Sequence, residues 1–99
     1  MEQHYLANEQ ISAFASSLVR AERTPATIEK YLRSVRAFFL YLDGRPVTKD
    51  AVVAWKEHLQ SVGGYSPSTV NASMAAINDL FTFLSWPDCR IHYLKVQHR

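Results

Sequence analysis

Cysteine, glycine, proline and long apolar runs are all scarce in this chain of 99 residues. The single cysteine, Cys89, excludes an internal disulfide framework and suits a reducing compartment. The longest unbroken apolar run, Ala37 to Leu42, is far shorter than the roughly 20 residues that cross a membrane. The N-terminus lacks the basic start and apolar stretch of a signal peptide. We therefore expect one cytoplasmic domain over residues 1–99 without a membrane partner.

The composition is that of an ordinary globular protein. Hydrophobic residues make up 47% of the chain and charged residues 20%, which excludes a disordered chain. Eleven Lys and Arg against nine Asp and Glu give a net charge of +2. This mildly basic balance permits a nucleic-acid partner without requiring one.

The few glycines and prolines divide the chain into four segments with helical periodicity, near residues 8–22, 25–43, 48–62 and 67–86. Long uninterrupted segments with so little glycine favour helices over strands. The sequence therefore predicts an all-α fold, a compact bundle of four helices. Residues 87–99 lack a helical stripe, and we expect them to form an extended strap or linker.

The predicted helices have recognisable starts and apolar faces. Asn8, Thr24, Thr48 and Ser66 are the expected N-caps. Apolar residues at helical spacing predict a core of Ile11, Phe14, Ala15, Leu18, Val19, Ile28, Tyr31, Leu32, Val35, Phe38, Phe39, Leu42, Val52, Trp55, Leu59, Val62, Val70, Met74, Ile77, Leu80, Phe81 and Leu84.

The second and fourth segments follow one plan. Both begin with a hydroxyl residue and a proline, and both carry a threonine near the start, Thr27 and Thr69. Phe39 and Phe81 occupy matching positions, so we expect both to lie at the centre of the core. Threonine is a poor helix former, and helix N-termini favour anions. The matched threonines therefore suggest paired anion sites, although convergent capping explains part of the pattern.

The outer faces of these two helices differ in charge. Lys30, Arg33 and Arg36 form a basic stripe on the second helix. Such a stripe is most often only a solvated face. The expected outer face of the fourth helix is small and nearly uncharged, and consists of Asn71, Ala72, Ala75, Asn78, Asp79 and Thr82.

The segments taken in order resemble a known family. Thr24–Leu32 with Phe38–Leu42 resembles the opening helix pair of the core-binding domain of tyrosine recombinases, the phage-type integrases. Val47–Val52 resembles the next helix start. Tyr65–Asn71, followed by Ala76–Ile77 and Phe81–Leu84, resembles the last helix, which faces DNA. The resemblance implies an orthogonally packed, SAM-like bundle on one side of recombination-site DNA. A larger C-terminal domain then closes the clamp and carries the catalytic Arg/His/Arg set and the nucleophilic tyrosine.

The resemblance also implies partners and contacts. The partners are double-stranded DNA, the C-terminal catalytic domain of the same parent chain and other recombinase protomers on DNA. Ala72, Ser73 and Asn78 stand where the family often has basic residues, so the charge would come from the second helix. Asn71 could pair with an adenine edge. The expected DNA-binding residues are Thr24, Thr27, Lys30, Arg33, Arg36, Ser66, Ser68, Thr69 and Asn71.

The chain by itself shows no pattern for catalysis. The aromatic stripe of the second helix accounts for Tyr31 and Tyr41, and nothing near Tyr5, Tyr65 or Tyr93 supplies a catalytic Arg/His cluster. Cys89 and His92 have ligand-like spacing, but no second pair follows them. The sequence therefore predicts no catalytic residue, metal site or cofactor in this chain. A helical protein-interaction module of the death-domain or SAM type remains the alternative function.

Overall fold

The computed structural model describes residues 3–89, which form four α-helices. The helices are α1 (Asn8–Arg20), α2 (Pro25–Leu42), α3 (Lys49–Ser61) and α4 (Pro67–Leu84), and a 3₁₀ turn follows at Pro87–Cys89. An isolated antiparallel bridge joins His4 to Val47. The predicted all-α class and its four helices are confirmed. The strap expected at 87–99 falls outside the described residues from position 90 onward.

No helix in the described range combines the length and the apolar character that a membrane crossing requires.

Side-chain hydroxyls cap three of the four helices, as the sequence predicts. Thr24, Thr48 and Ser66 accept hydrogen bonds from backbone N–H groups in the first turns of α2, α3 and α4, at 3.2, 3.0 and 3.3 Å. These bonds satisfy donors that would otherwise have no partner within the helix. The caps fix where each helix begins.

The expected cap of α1 is wrong. Ala7 is the N-cap residue, and Asn8 is already helical. The backbone N–H of Ala7 donates to Gln10 Oε1 at 2.8 Å, so a side chain inside the first turn reaches back to the chain entering the helix. A polar residue at the start of a periodic stretch does not by itself distinguish the cap from the first helical position.

The core forms around α4, which packs against α1, α2, α3 and the 3₁₀ turn. The buried hydrophobic residues are Ile11, Phe14, Leu18, Val35, Phe38, Leu42, Val47, Val52, Trp55, Val70, Met74, Ala76, Ile77, Leu80, Phe81 and Cys89. Most of the predicted core is therefore confirmed, including every residue of the predicted α4 stripe except Leu84.

Several positions differ from the predicted burial. The predicted core residues that are only partly buried include Ala15, Ile28, Tyr31, Leu32, Leu59 and Leu84. Phe39 is only partly buried, while Phe38 is fully buried. Val19 and Val62 are 63% and 74% exposed. Asn78, expected on the outer face of α4, is buried. The helical periodicity of a sequence indicates the direction in which each side chain points from its helix. Whether that side chain is buried depends on whether another helix packs against the same face, and α4 has neighbours on several faces.

Candidate nucleic-acid interface

An open groove of about 500 Å³ runs between α2 and the first half of α4, and we call it the α2–α4 groove. Trp55 and Leu59 of α3 also line it, together with Tyr65 from the loop before α4. Its full lining is Lys30, Arg33, Ser34, Ala37, Trp55, Leu59, Tyr65, Ser68, Thr69, Val70, Ala72 and Ser73.

The chemistry of the α2–α4 groove is cationic and rich in hydroxyl groups. Lys30 and Arg33 stand on the α2 side, and Ser68 and Thr69 stand on the α4 side. No aspartate or glutamate is among its described lining residues. Cations and hydroxyl donors without a carboxylate suit an anionic ligand, and phosphate oxygens accept from both kinds of donor.

One of the two cations is partly neutralised at the edge of the groove. Arg33 forms an ion pair with Glu29, one turn earlier on α2, at 3.1 Å between Nη2 and Oε1. Both side chains are about three-quarters exposed, at 74% and 73%. An exposed pair of this kind contributes little stability, so Arg33 can exchange Glu29 for another anion at small cost.

The third basic residue of the predicted stripe lies elsewhere. Arg36 lines a second groove, between α1 and α2, with Arg23 and Glu29. At 100° per residue, Arg36 is turned by roughly 120° from Lys30 around the axis of α2. The expected stripe therefore divides between two faces of the molecule.

The matched threonines have a local role that the sequence did not reveal. The Thr24 hydroxyl donates to Thr27 Oγ1 at 2.9 Å, and the Ser66 hydroxyl donates to Thr69 Oγ1 at 3.1 Å. The N–H groups of Thr27 and Thr69 bond back to the same caps. Because proline has no N–H, the first turns of α2 and α4 retain few donors for an anion. These helix ends offer fewer free donors to an anion than the sequence suggested.

The remaining predicted residues do not line the α2–α4 groove. Ser66 is the exposed cap just before Ser68, and Thr24 is the exposed cap of α2. Asn71 is partly buried and is not part of the groove lining. The structure thus brings together Lys30, Arg33, Ser68 and Thr69 from the predicted set.

Three polar groove residues were missed from the sequence. Ser34 and Ser73 face each other across the groove, with the Ser34 hydroxyl donating to Ser73 Oγ at 3.3 Å. Tyr65 stands at the groove and is 51% exposed. Ser34 lies one turn after Lys30, and Ser73 lies one turn after Thr69, so an i, i+4 search from the predicted residues would have found both serines.

A glycine allows Tyr65 to take its position. A Cβ on Gly63 would stand 2.7 Å from ring carbons of Tyr65 and 2.9 Å from the backbone oxygen of Leu59. Both distances are too short for real contacts, and the Leu59 oxygen belongs to helical backbone. Gly63 therefore lets the loop between α3 and α4 fold tightly enough to hold the tyrosine ring at the groove.

Charge is balanced over the described part of the molecule. Residues 3–89 contain eight Lys and Arg and eight Asp and Glu, so the net positive charge of the chain arises outside this range. Any attraction of this part for an anion must come from local separation of charge, as in the α2–α4 groove, and not from the total.

Comparison with known proteins identifies the family of the chain. The family model described as phage integrase, N-terminal SAM-like domain, matches residues 7–87, which include all four helices and the α2–α4 groove. No curated protein and no solved structure gives a significant match. The family match covers most of the chain and confirms the resemblance seen in its segments. The chain therefore belongs to the family of phage integrase N-terminal SAM-like domains.

Proposed function

We propose that this domain binds duplex DNA through the α2–α4 groove, as the DNA-binding arm of a tyrosine recombinase. In this proposal a separate C-terminal domain of the parent chain closes around the recombination site and carries the catalytic residues. The observation that carries the proposal is one groove that joins Lys30 and Arg33 to Ser68 and Thr69 without a lining carboxylate. Membership of the integrase family supports the recombinase context.

The groove chemistry favours contacts with the DNA backbone. Ammonium, guanidinium and hydroxyl groups donate to phosphate oxygens, which positions a protein on DNA without reading its sequence. Two cations neutralise few phosphates, so the domain alone should bind weakly and with modest salt dependence. Firm binding would then depend on the second half of the clamp and on other protomers.

Side chains around the groove extend the proposed interface. Thr24, Thr27 and Ser66 carry hydroxyl groups in the capped helix starts of α2 and α4, and Asn71 of α4 is the residue that could read a base edge. Arg36 contributes only if the DNA also covers the second groove, where it lies. The variant Arg36→Gln measures that contribution separately.

The test is an equilibrium titration of fluorescently labelled duplex DNA with the wild-type chain and charge-matched variants. We expect the double variant Lys30→Gln/Arg33→Gln to lose affinity by about tenfold or more at low salt. The control is Arg20→Gln, which removes an exposed charge at the end of α1 and lines neither groove. We expect it to stay within about twofold of wild type, because distant exposed charges are screened.

Two results would overturn the proposal. Equal losses in the groove variant and the Arg20 control would show that attraction is diffuse and not located in the groove. An affinity that does not change with salt would favour the alternative, a helical protein-interaction module.

A further inference from the structure

Three chain segments that are distant in sequence meet at one corner of the molecule. The backbone N–H of Val47, in the loop after α2, donates to the carbonyl oxygen of His4 at 2.7 Å. The imidazole of His4 stacks on Trp86, just after α4, with ring centroids 4.4 Å apart and planes 15° apart. These contacts hold His4 in place against Asp88 and Cys89 of the 3₁₀ turn.

Three potential metal ligands converge at this corner. His4 Nε2 lies 3.4 Å from Asp88 Oδ2, and Cys89 Sγ lies 3.9 Å from the same oxygen. All three donor atoms fall within 4.8 Å of one another. Around a tetrahedral zinc ion with bonds of about 2.0–2.3 Å, neighbouring ligand atoms stand roughly 3.3–3.6 Å apart. The His4–Asp88 and Asp88–Cys89 distances are close to these values, and the donor atoms of His4 and Cys89 lie within 4.8 Å of each other.

We propose that His4, Asp88 and Cys89 bind a divalent transition-metal ion, Zn²⁺ by preference, with water as the fourth ligand. Imidazole nitrogen, carboxylate oxygen and thiolate sulfur are the donors that zinc takes in proteins. The Asp88 side chain is 69% exposed, so the site opens to solvent on that side for the ion and the water. Neither the α2–α4 groove nor DNA binding enters this proposal.

Binding changes the protonation and contacts of Cys89. Its thiol is buried and lies 3.7 Å from the carbonyl oxygen of Val47, in hydrogen-bonding contact. Zinc takes a thiolate, so the thiol proton passes to solvent as the sulfur–metal bond forms and the contact with Val47 is given up. The ion would join the segment before α1 to the turn after α4, and so stabilise the folded chain.

The test is titration of the reduced, metal-free 99-residue chain with Co²⁺, a spectroscopic probe for zinc sites. Because Cys89 is the only cysteine, a sulfur-to-cobalt charge-transfer band in the near ultraviolet reports on this residue alone. We expect one equivalent of Co²⁺ to produce that band with visible tetrahedral bands, and Zn²⁺ to abolish both by displacement.

Single-residue variants distinguish metal binding at His4, Asp88 and Cys89 from nonspecific metal binding elsewhere on the chain. We expect His4→Phe, which keeps an aromatic ring on Trp86, and Cys89→Ala each to lose more than about 100-fold in metal affinity. His58→Gln, an exposed histidine on α3, should bind as wild type does. Circular dichroism of each variant in chelator checks that it is folded. Absence of the band in wild type, or a band of unchanged affinity in folded His4→Phe, would overturn the proposal and leave a contact between His4 and Asp88 beside a buried thiol.

Discussion

Three aromatic rings meet at the centre of the fold. Phe38 of α2 lies 5.1 Å from Trp55 of α3 and 6.3 Å from Phe81 of α4, measured between ring centroids. All three side chains are buried. Tilted and edge-on ring pairs at these distances add to the stabilisation from apolar burial. Phe39, the next residue on α2, lies at the border of this cluster and is only partly buried.

The difference in burial between Phe38 and Phe39 gives a prediction about stability. We expect Phe38→Ala and Phe81→Ala each to lower the free energy of unfolding by about 3–5 kcal/mol, because each leaves a cavity in the core. Phe39→Ala should cost less than about 2 kcal/mol, because its ring is partly in water already. Urea unfolding of the three variants measures this order. Equal losses at positions 38 and 39 would mean that the core is misplaced.

The buried thiol gives a prediction on alkaline stability. Burial, with a further contribution from the carboxylate of Asp88, raises the pKa of the Cys89 thiol from its ordinary 9.0 to about 11. Folding then favours the protonated thiol, so its contribution to stability is complete below pH 9 and is lost as the pH rises through 11.

We expect the stability of wild type relative to Cys89→Ala to fall by at most about 2–3 kcal/mol between pH 8 and the alkaline limit. Urea unfolding in reductant and chelator, at matched pH for both proteins, measures the change. Because Cys89→Ala lacks the thiol and keeps every other group that titrates at alkaline pH, the difference between the two proteins reports on the thiol alone. A stability difference that is constant with pH would show that the thiol is solvated.

At the scale of elements, α2 and α4 share one design at their N-termini. In each helix a hydroxyl cap bonds both the N–H and the side-chain oxygen of the threonine three residues later. A proline begins the helix in both cases, and its fixed φ is already helical. The repeated pattern in the sequence therefore has a structural basis in helix initiation.

The caps should matter more than the threonines they bind. We expect Thr24→Ala and Ser66→Ala each to cost about 1 kcal/mol of stability, because each leaves an N–H of the first turn without its acceptor. Thr27→Val and Thr69→Val keep that backbone bond and the β-branched shape, so each should cost only a few tenths of a kcal/mol. Thermal unfolding of the four variants compares them. A valine variant as unstable as its cap variant would make the hydroxyl pair the stabilising contact.

Much of this element-level structure could be predicted from the sequence, because its signals are local. Thr24, Thr48 and Ser66 act within one turn, and the proline that follows Thr24 and Ser66 marks those two positions as caps. Burial was harder to predict. Val62 satisfies the apolar spacing of α3, but it is the C-cap residue after the helix ends at Ser61, and it is 74% exposed. Asn78 shows the opposite error, since it was expected on the outer face of α4 and is buried. Its polar side chain did not indicate that neighbouring elements pack against that face of α4.

At the scale of the whole molecule, the interface depends on how two helices are placed relative to each other. The sequence marked Lys30, Arg33, Ser68 and Thr69 individually, but only the packing of α2 against α4 brings them into one groove. Arg36 lies instead in the second groove, between α1 and α2. The corner at His4 was not predictable, since it joins segments from opposite ends of the described chain.

The salt dependence of DNA binding tests the central claim most directly. If Lys30 and Arg33 each neutralise one phosphate, the slope of log affinity against log salt should become shallower by about 2 in Lys30→Gln/Arg33→Gln. The slope of Arg20→Gln should match that of wild type. A slope unchanged in the groove variant, measured on the same duplex over the same salt range, would contradict the assignment of the α2–α4 groove as the DNA interface.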